Sequence, residues 1–139
     1  MIALDTNTLI YLLVSNQPEH SRARDWIASA GERLTTTHTN VGEFLRLITH
    51  PRLFPHPLSL SRAVETLNEF TKGFGVTVLD EDPEWWKALP SLDTMVPGLR
   101  GNEVFDARIA LCLRDNGVKK ICSLDGGFAR FPFLERVSF

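Results

Sequence analysis

Four acids of this 139-residue chain stand at joints between apolar and polar stretches. Asp5 ends the run Ile2-Ala3-Leu4, Glu43 follows THTN, Asp106 follows GLRGN and Asp125 follows KKICSL. Two carboxylates about 4 Å apart repel by about 4 kcal/mol at an effective dielectric of 20. Four of them gathered at one place call for protons or a cation, and a divalent metal turns the repulsion into binding. Carboxylate oxygens without histidine or cysteine suit Mg²⁺, with Mn²⁺ as its substitute, rather than zinc. Each acid also has an ordinary structural role. Glu43 suits the third position of a capping box with Asn40 as N-cap, Asp106 favours a helix dipole, Asp5 suits a helix cap, and Asp125 opens an Asp-Gly-Gly turn.

The elements that must position these acids alternate in type. Residues 1–4 read as a buried strand, 8–14 as a helix, 20–30 as an amphipathic helix ended by Gly31, and 33–38 as a strand rich in threonine. A helix over 40–49 is stopped by Pro51, and 60–73 form another with Ala63, Val64, Leu67 and Phe70 at helical spacing. Residues 76–79 read as a strand, 83–89 as a short helix carrying Trp85 and Trp86, and 90–101 as a loop. The most apolar helix spans 103–115, a strand 119–124 follows, and the last residues form a further strand. This alternation predicts one domain over 1–139, a three-layer α/β/α fold with a mainly parallel central sheet. Ligands of such sheets sit beyond the carboxyl ends of the strands. All four acids fall on that edge.

Composition frames the reading. Hydrophobic residues make up 43% and charged residues 23%, as in ordinary soluble domains. No apolar run reaches the roughly 18 residues of a membrane span. The first residues lack a basic leader, so a cytoplasmic protein is expected. Cys112 and Cys122 lack metal-type spacing and read as buried free thiols. The four histidines read as structural or solvated, His38 standing nearest the acidic edge. A net charge of −2 gives no basic footprint for nucleic acid. Setting the four acids aside from the 17 leaves 13 against 15 bases, and Arg46, Arg52, Arg100 and Arg108 are candidates for phosphate contact.

Four motifs in order carry a resemblance: LDTNTLIYLL at 4–13, NVGEFLRLITHPRLFPHPLS at 40–59, GNEVFDARIALCLRDNGV at 101–118 and CSLDGGFARFPFL at 122–134. The chain resembles PIN-domain ribonucleases of the VapC type, the toxins of bacterial toxin–antitoxin pairs. The resemblance implies metal-dependent endonucleolytic cleavage of RNA, a homodimer, and a cognate VapB-like antitoxin that reaches the acidic site. It departs from the family pattern at Ser123, usually threonine, at Gly127, where many members carry a further acid, and at Phe105, often polar.

On this reading Asp5 and Asp106 are the principal metal ligands. Glu43 and Asp125 complete the cage, directly or through water, and one of them orients or deprotonates the attacking water. Thr6, Asn7 and Ser123 support the acids or contact phosphate. Apolar residues in excess of one buried face, Tyr11 and Leu12 among them, suggest interfaces on the helices at 8–14 and 60–70. Two alternatives stay open: a PIN-like module that binds RNA or a partner without cutting, and a haloacid-dehalogenase-like phosphatase using Asp5 as nucleophile. The phosphatase needs a second acid where this chain has Asn7.

Overall fold

Strand residues that alternate their side chains between two helical layers organise the molecule. A computed structural model describes all residues, 1–139. Its elements are β1 (Ile2–Leu4), α1 (Thr6–Leu13), α2 (His20–Ser29), β2 (Leu34–Thr37), α3 (His38–Ile48), α4 (Leu60–Phe74), β3 (Thr77–Leu79), α5 (Leu89–Met95), α6 (Glu103–Asp115), β4 (Lys120–Cys122) and β5 (Glu135–Val137). Short 3₁₀ turns at Trp85–Ala88 and Gly126–Arg130 complete them. The five strands are ordered β3-β2-β1-β4-β5 and every pairing is parallel.

Period-2 alternation divides the core in two. Ile2 and Leu4 of β1, with Cys122 of β4, face a cluster built with α1, α2, α3 and α4. Ala3 and Ile121 face the other cluster, where α5 and α6 pack with Phe128 and Phe131. Helix α6 buries Ala107 and every residue from Ile109 to Leu113, so its body is fixed while its first turn reaches the sheet edge. Helix α4 ends at Gly75 with φ +63°, a left-handed cap that glycine adopts without strain.

Three expectations are corrected. Residues 89–95 are helical rather than loop: Pro90 lies in the first turn of α5, where its missing N–H costs nothing and its fixed φ suits the helix. The cap of α3 is Thr37, whose hydroxyl accepts the Asn40 amide N–H, so Glu43 lies in the second turn and not at the capping-box position. Leu12, expected at an interface, is buried in the first core, and Tyr11 sets its ring edge-on to Phe139 at 5.8 Å. Both cysteines are buried and free, and burial pushes each thiol up to about 11.

Sequential strands run outward from β1 through β2 to β3, and the chain then returns to the other side of β1 with β4. The crevice between the carboxyl ends of β1 and β4 is therefore the topological switch point. Phe44, fully buried beside Glu43, fixes α3 over that crevice. Phe44→Ala is expected to lower stability by about 3–5 kcal/mol, measured by urea unfolding, through lost contact and the cavity left behind.

Candidate active site

Register sets the first two groups. Leu4 pairs with Cys122, so the next residues, Asp5 and Ser123, stand side by side past the strand ends. Asp5 is the N-cap residue of α1, yet its side chain caps nothing. Instead it accepts from Ser123 Oγ at 2.7 Å through Oδ2 and from Asn40 Nδ2 at 3.0 Å through Oδ1. The Ser123 hydroxyl also accepts the Asp125 amide at 3.0 Å, which ties the Asp-Gly-Gly turn to the same strand end. Asn7 Nδ2 reaches Ser123 Oγ only at 3.4 Å.

Asn40, 1% exposed, is the hub that connects α3 to β1. Its Oδ1 accepts from Thr37 Oγ1 at 2.7 Å, and its Nδ2 donates both to Asp5 and to Thr6 Oγ1, the latter at 3.0 Å. Thr6 Oγ1 in turn donates a hydrogen bond to Glu43 Oε2 at 2.6 Å. Every polar atom of the Asn40 side chain is thus used, which makes the buried network rigid. Local spacing identifies Asn40 only as a helix cap. Its role depends on the β1–β2 pairing, which local spacing does not reveal.

The remaining acids come from the far side of the switch point. Asp125 spends Oδ1 on the Gly127 amide at 2.8 Å, so its expected turn role is real, and Oδ2 stays free. Asp106, in the first turn of α6, makes no side-chain hydrogen bond. Gly127 lies between the two: a Cβ there would fall 3.3 Å from Asp125 Oδ1 and 3.7 Å from Asp106 Oδ2. The glycine leaves that space open where a larger residue would crowd it.

A cleft of about 760 Å³ joins these groups, with Asp5, Glu43, Asp106, Asp125, Thr6 and Asn7 in its wall and Ser123 buried beneath. His38, Arg46 and Arg108 also line it, whereas Arg52 and Arg100 do not. None of the four carboxylates forms an ion pair, although acids elsewhere, such as Glu32, Glu81 and Glu103, do. The electrostatic strain is visible in two of them. Burial, with the Glu43 and Asp125 charges adding, pushes the Asp5 carboxyl up to about 6 against the opposing Ser123 hydrogen bond. Asp106 is likewise pushed up to about 6 by burial and by the charges of Asp125, Asp5 and Glu43. No three of these side chains close into a finished metal cage by themselves. Oxygen donors alone, unneutralised and loosely spaced, fit a hard divalent ion that keeps several waters.

A parallel sheet with an acid-lined cleft over its switch point is the architecture of the PIN domain. The chain belongs to the PIN-domain family, whose model matches residues 2–134. It is 30% identical to Ribonuclease VapC48 of Mycobacterium tuberculosis, over 91% of this chain and 89% of that protein. Among solved structures it resembles VapC20 of M. tuberculosis, described as a Sarcin-Ricin loop cleaving toxin, with a TM-score of 0.66, 22% identity and 93% of both chains covered. VapBC2 from Rickettsia felis, solved bound to a DNA fragment of its promoter, gives a TM-score of 0.67 at 15% identity, covering 99% of this chain and 98% of that one. No helix is long and apolar enough to cross a membrane.

Because Asp5 and Asp106 keep protons in the folded chain up to about pH 6 and release them near 3.8 when unfolded, their contribution to stability falls as pH rises through that window. In metal-free buffer, thermal melting of Asp5→Asn and Asp106→Asn is expected to lose part of the parent's decline in Tm between pH 4 and 7. Added Mg²⁺ should raise the parent's Tm above pH 6 and leave the variants nearly unmoved, as calorimetric scans would show.

Proposed function

We propose that the chain is a Mg²⁺-dependent endoribonuclease, the toxin of a toxin–antitoxin pair, and that Asp5, Glu43, Asp106 and Asp125 form its active site. One observation carries this reading: four carboxylates from four separate segments share a cleft at the switch point, and none of them forms an ion pair with a cation of the chain. The kinship to VapC ribonucleases supports it, and the VapBC2 complex supports a VapB-like antitoxin as partner.

Asp106 and Asp5 are the residues that would hold the ion, with Glu43 and Asp125 closing the set directly or through water. Bound there, Mg²⁺, or Mn²⁺ in its place, supplies charge neutralisation for the phosphate and lowers the pKa of a water. The chain's own groups do the positioning. Thr6 engages Glu43 Oε2, and Oε1, which has no hydrogen-bond partner, is the oxygen that would take a proton from the attacking water. Asp125 keeps Oδ2 free in the same way. Ser123 and Asn40 hold Asp5 in one orientation, so its remaining lone pairs face a fixed direction. Water adds to phosphorus, the P–O bond to the leaving ribose oxygen breaks, and that oxygen departs with a proton drawn from solvent.

Asn7 offers an amide where the phosphatase alternative needs a carboxylate, and the PIN match sides with the nuclease. The decisive experiment maps RNA ends across the transcriptome after brief induction of this chain in bacteria, beside Asp106→Asn. New ends at few sites, present only with Asp106 intact, are expected. Asp5→Asn and Asp106→Asn should each reduce cleavage by at least about a hundredfold. Activity within about tenfold of the parent in either variant would overturn the assignment, and folded protein that yields no new ends would favour a binding module.

A further inference from the structure

Phe105 is out of place by packing criteria. The residue is 46% exposed, belongs to neither core and joins none of the aromatic pairs of the fold. It stands immediately before Asp106 in the first turn of α6 and lines the carboxylate cleft, whose other apolar wall residues are Ile10 and Leu47. An apolar ring held beside four carboxylates gains nothing from its own chain. The faces of a nucleobase are the π-surfaces that suit it.

The cations of the same cleft are unequal. Arg108 is committed, its guanidinium paired with Glu81 and lying 4.6 Å from the centre of the Trp85 ring. Arg46, one turn beyond Glu43 on α3, lines the cleft with no carboxylate or ring partner. Arg46 is therefore the arginine of this wall free to meet an external anion.

Resting on the ribonuclease reading above, we infer that Phe105 and Arg46 form a nucleotide subsite beside the four acids. Phe105 stacks on the base of the nucleotide next to the scissile bond, and Arg46 binds a backbone phosphate of the same strand. A base can present its face to a helix-borne ring only when it is out of the duplex stack. The subsite therefore admits an unpaired, unstacked base and not one held in a duplex.

The test measures binding by fluorescence anisotropy, with all four acids intact, in Mg²⁺, and with a short labelled oligoadenylate whose bridging ribose oxygens are replaced by methylene, so that it cannot be cleaved, as the probe. Phe105→Ala and Phe105→Leu should each weaken binding about tenfold, while Phe105→Tyr stays within about twofold, because leucine keeps the bulk and loses the π-face. A matching oligomer without bases should bind the parent weakly and be indifferent to Phe105→Ala. Arg46→Ala should lower affinity and reduce the slope of log K against log salt by about 0.7, the share of one phosphate on a single strand. Preference for a duplex of the same length over the single strand, or Phe105→Ala and Phe105→Leu both within about twofold of the parent, would overturn the subsite and leave the ribonuclease reading standing. Failure of the parent to bind any RNA probe would overturn both.

Discussion

A carboxylate buried where two parallel strands end is the constraint around which this molecule is arranged. Asp5 is 6% exposed, and no cation of the chain accompanies it. Left bare, such a charge would oppose folding by several kcal/mol or take up a proton. The fold instead gives it one hydroxyl from β4's end and one amide from α3, at 2.7 and 3.0 Å. Those two bonds require the β1–β4 register that sets Leu4 against Cys122, and the β1–β2 pairing that carries Thr37 and Asn40 to the same edge. The strand order, the cap of α3 and the turn at Asp125 are thus linked through one ionisable group. Both partners are neutral donors, so Asp5 is left without a countercharge from the chain.

Much of this arrangement was legible in the sequence because it depends on short-range signals. Apolar triplets ending in a carboxylate, threonine-rich strands and the apolar run of α6 place the strands, the helices and the edge that the acids occupy. All four acids expected at that edge line one cleft. What escaped was decided by competition between local signals or by contacts distant in sequence. Thr37 and Asn40 are both good caps, and Thr37 prevails because Asn40 is drawn into bonds with Asp5 and Thr6, 35 and 34 residues away. Pro90 reads as a breaker but acts as a helix starter, since what precedes it is already a 3₁₀ turn with no N–H required of the proline. The partition of the arginines was equally hidden. Arg108 is claimed by Glu81, 27 residues earlier, and no spacing rule announces that pair.

The cleft's charge explains how an acidic chain is suited to a polyanion. A basic face attracts RNA everywhere and independently of any cofactor. Here the wall is negative wherever the four carboxylates lie unneutralised, so a phosphate approaching without a cation meets repulsion from Asp5, Glu43, Asp106 and Asp125 together. In the proposed enzyme, a divalent ion held among the acids would reverse the sign at the centre of the cleft. Affinity for a phosphodiester would then be concentrated at the proposed point of chemistry instead of being spread over the surface. The pairing of Arg108 with Glu81 fits the same logic, because a second free guanidinium beside Asp106 would neutralise a carboxylate that the proposed ion would need. Arg46 stands a turn further along α3, beyond Glu43, where it adds positive charge to the rim without forming an ion pair with the acids. In the proposed enzyme the separation between an acidic floor and a single free cation at the rim makes substrate binding and metal binding favour one another. A net charge of −2 is compatible with that proposed mechanism, since the four cleft acids are among the 17 that set it.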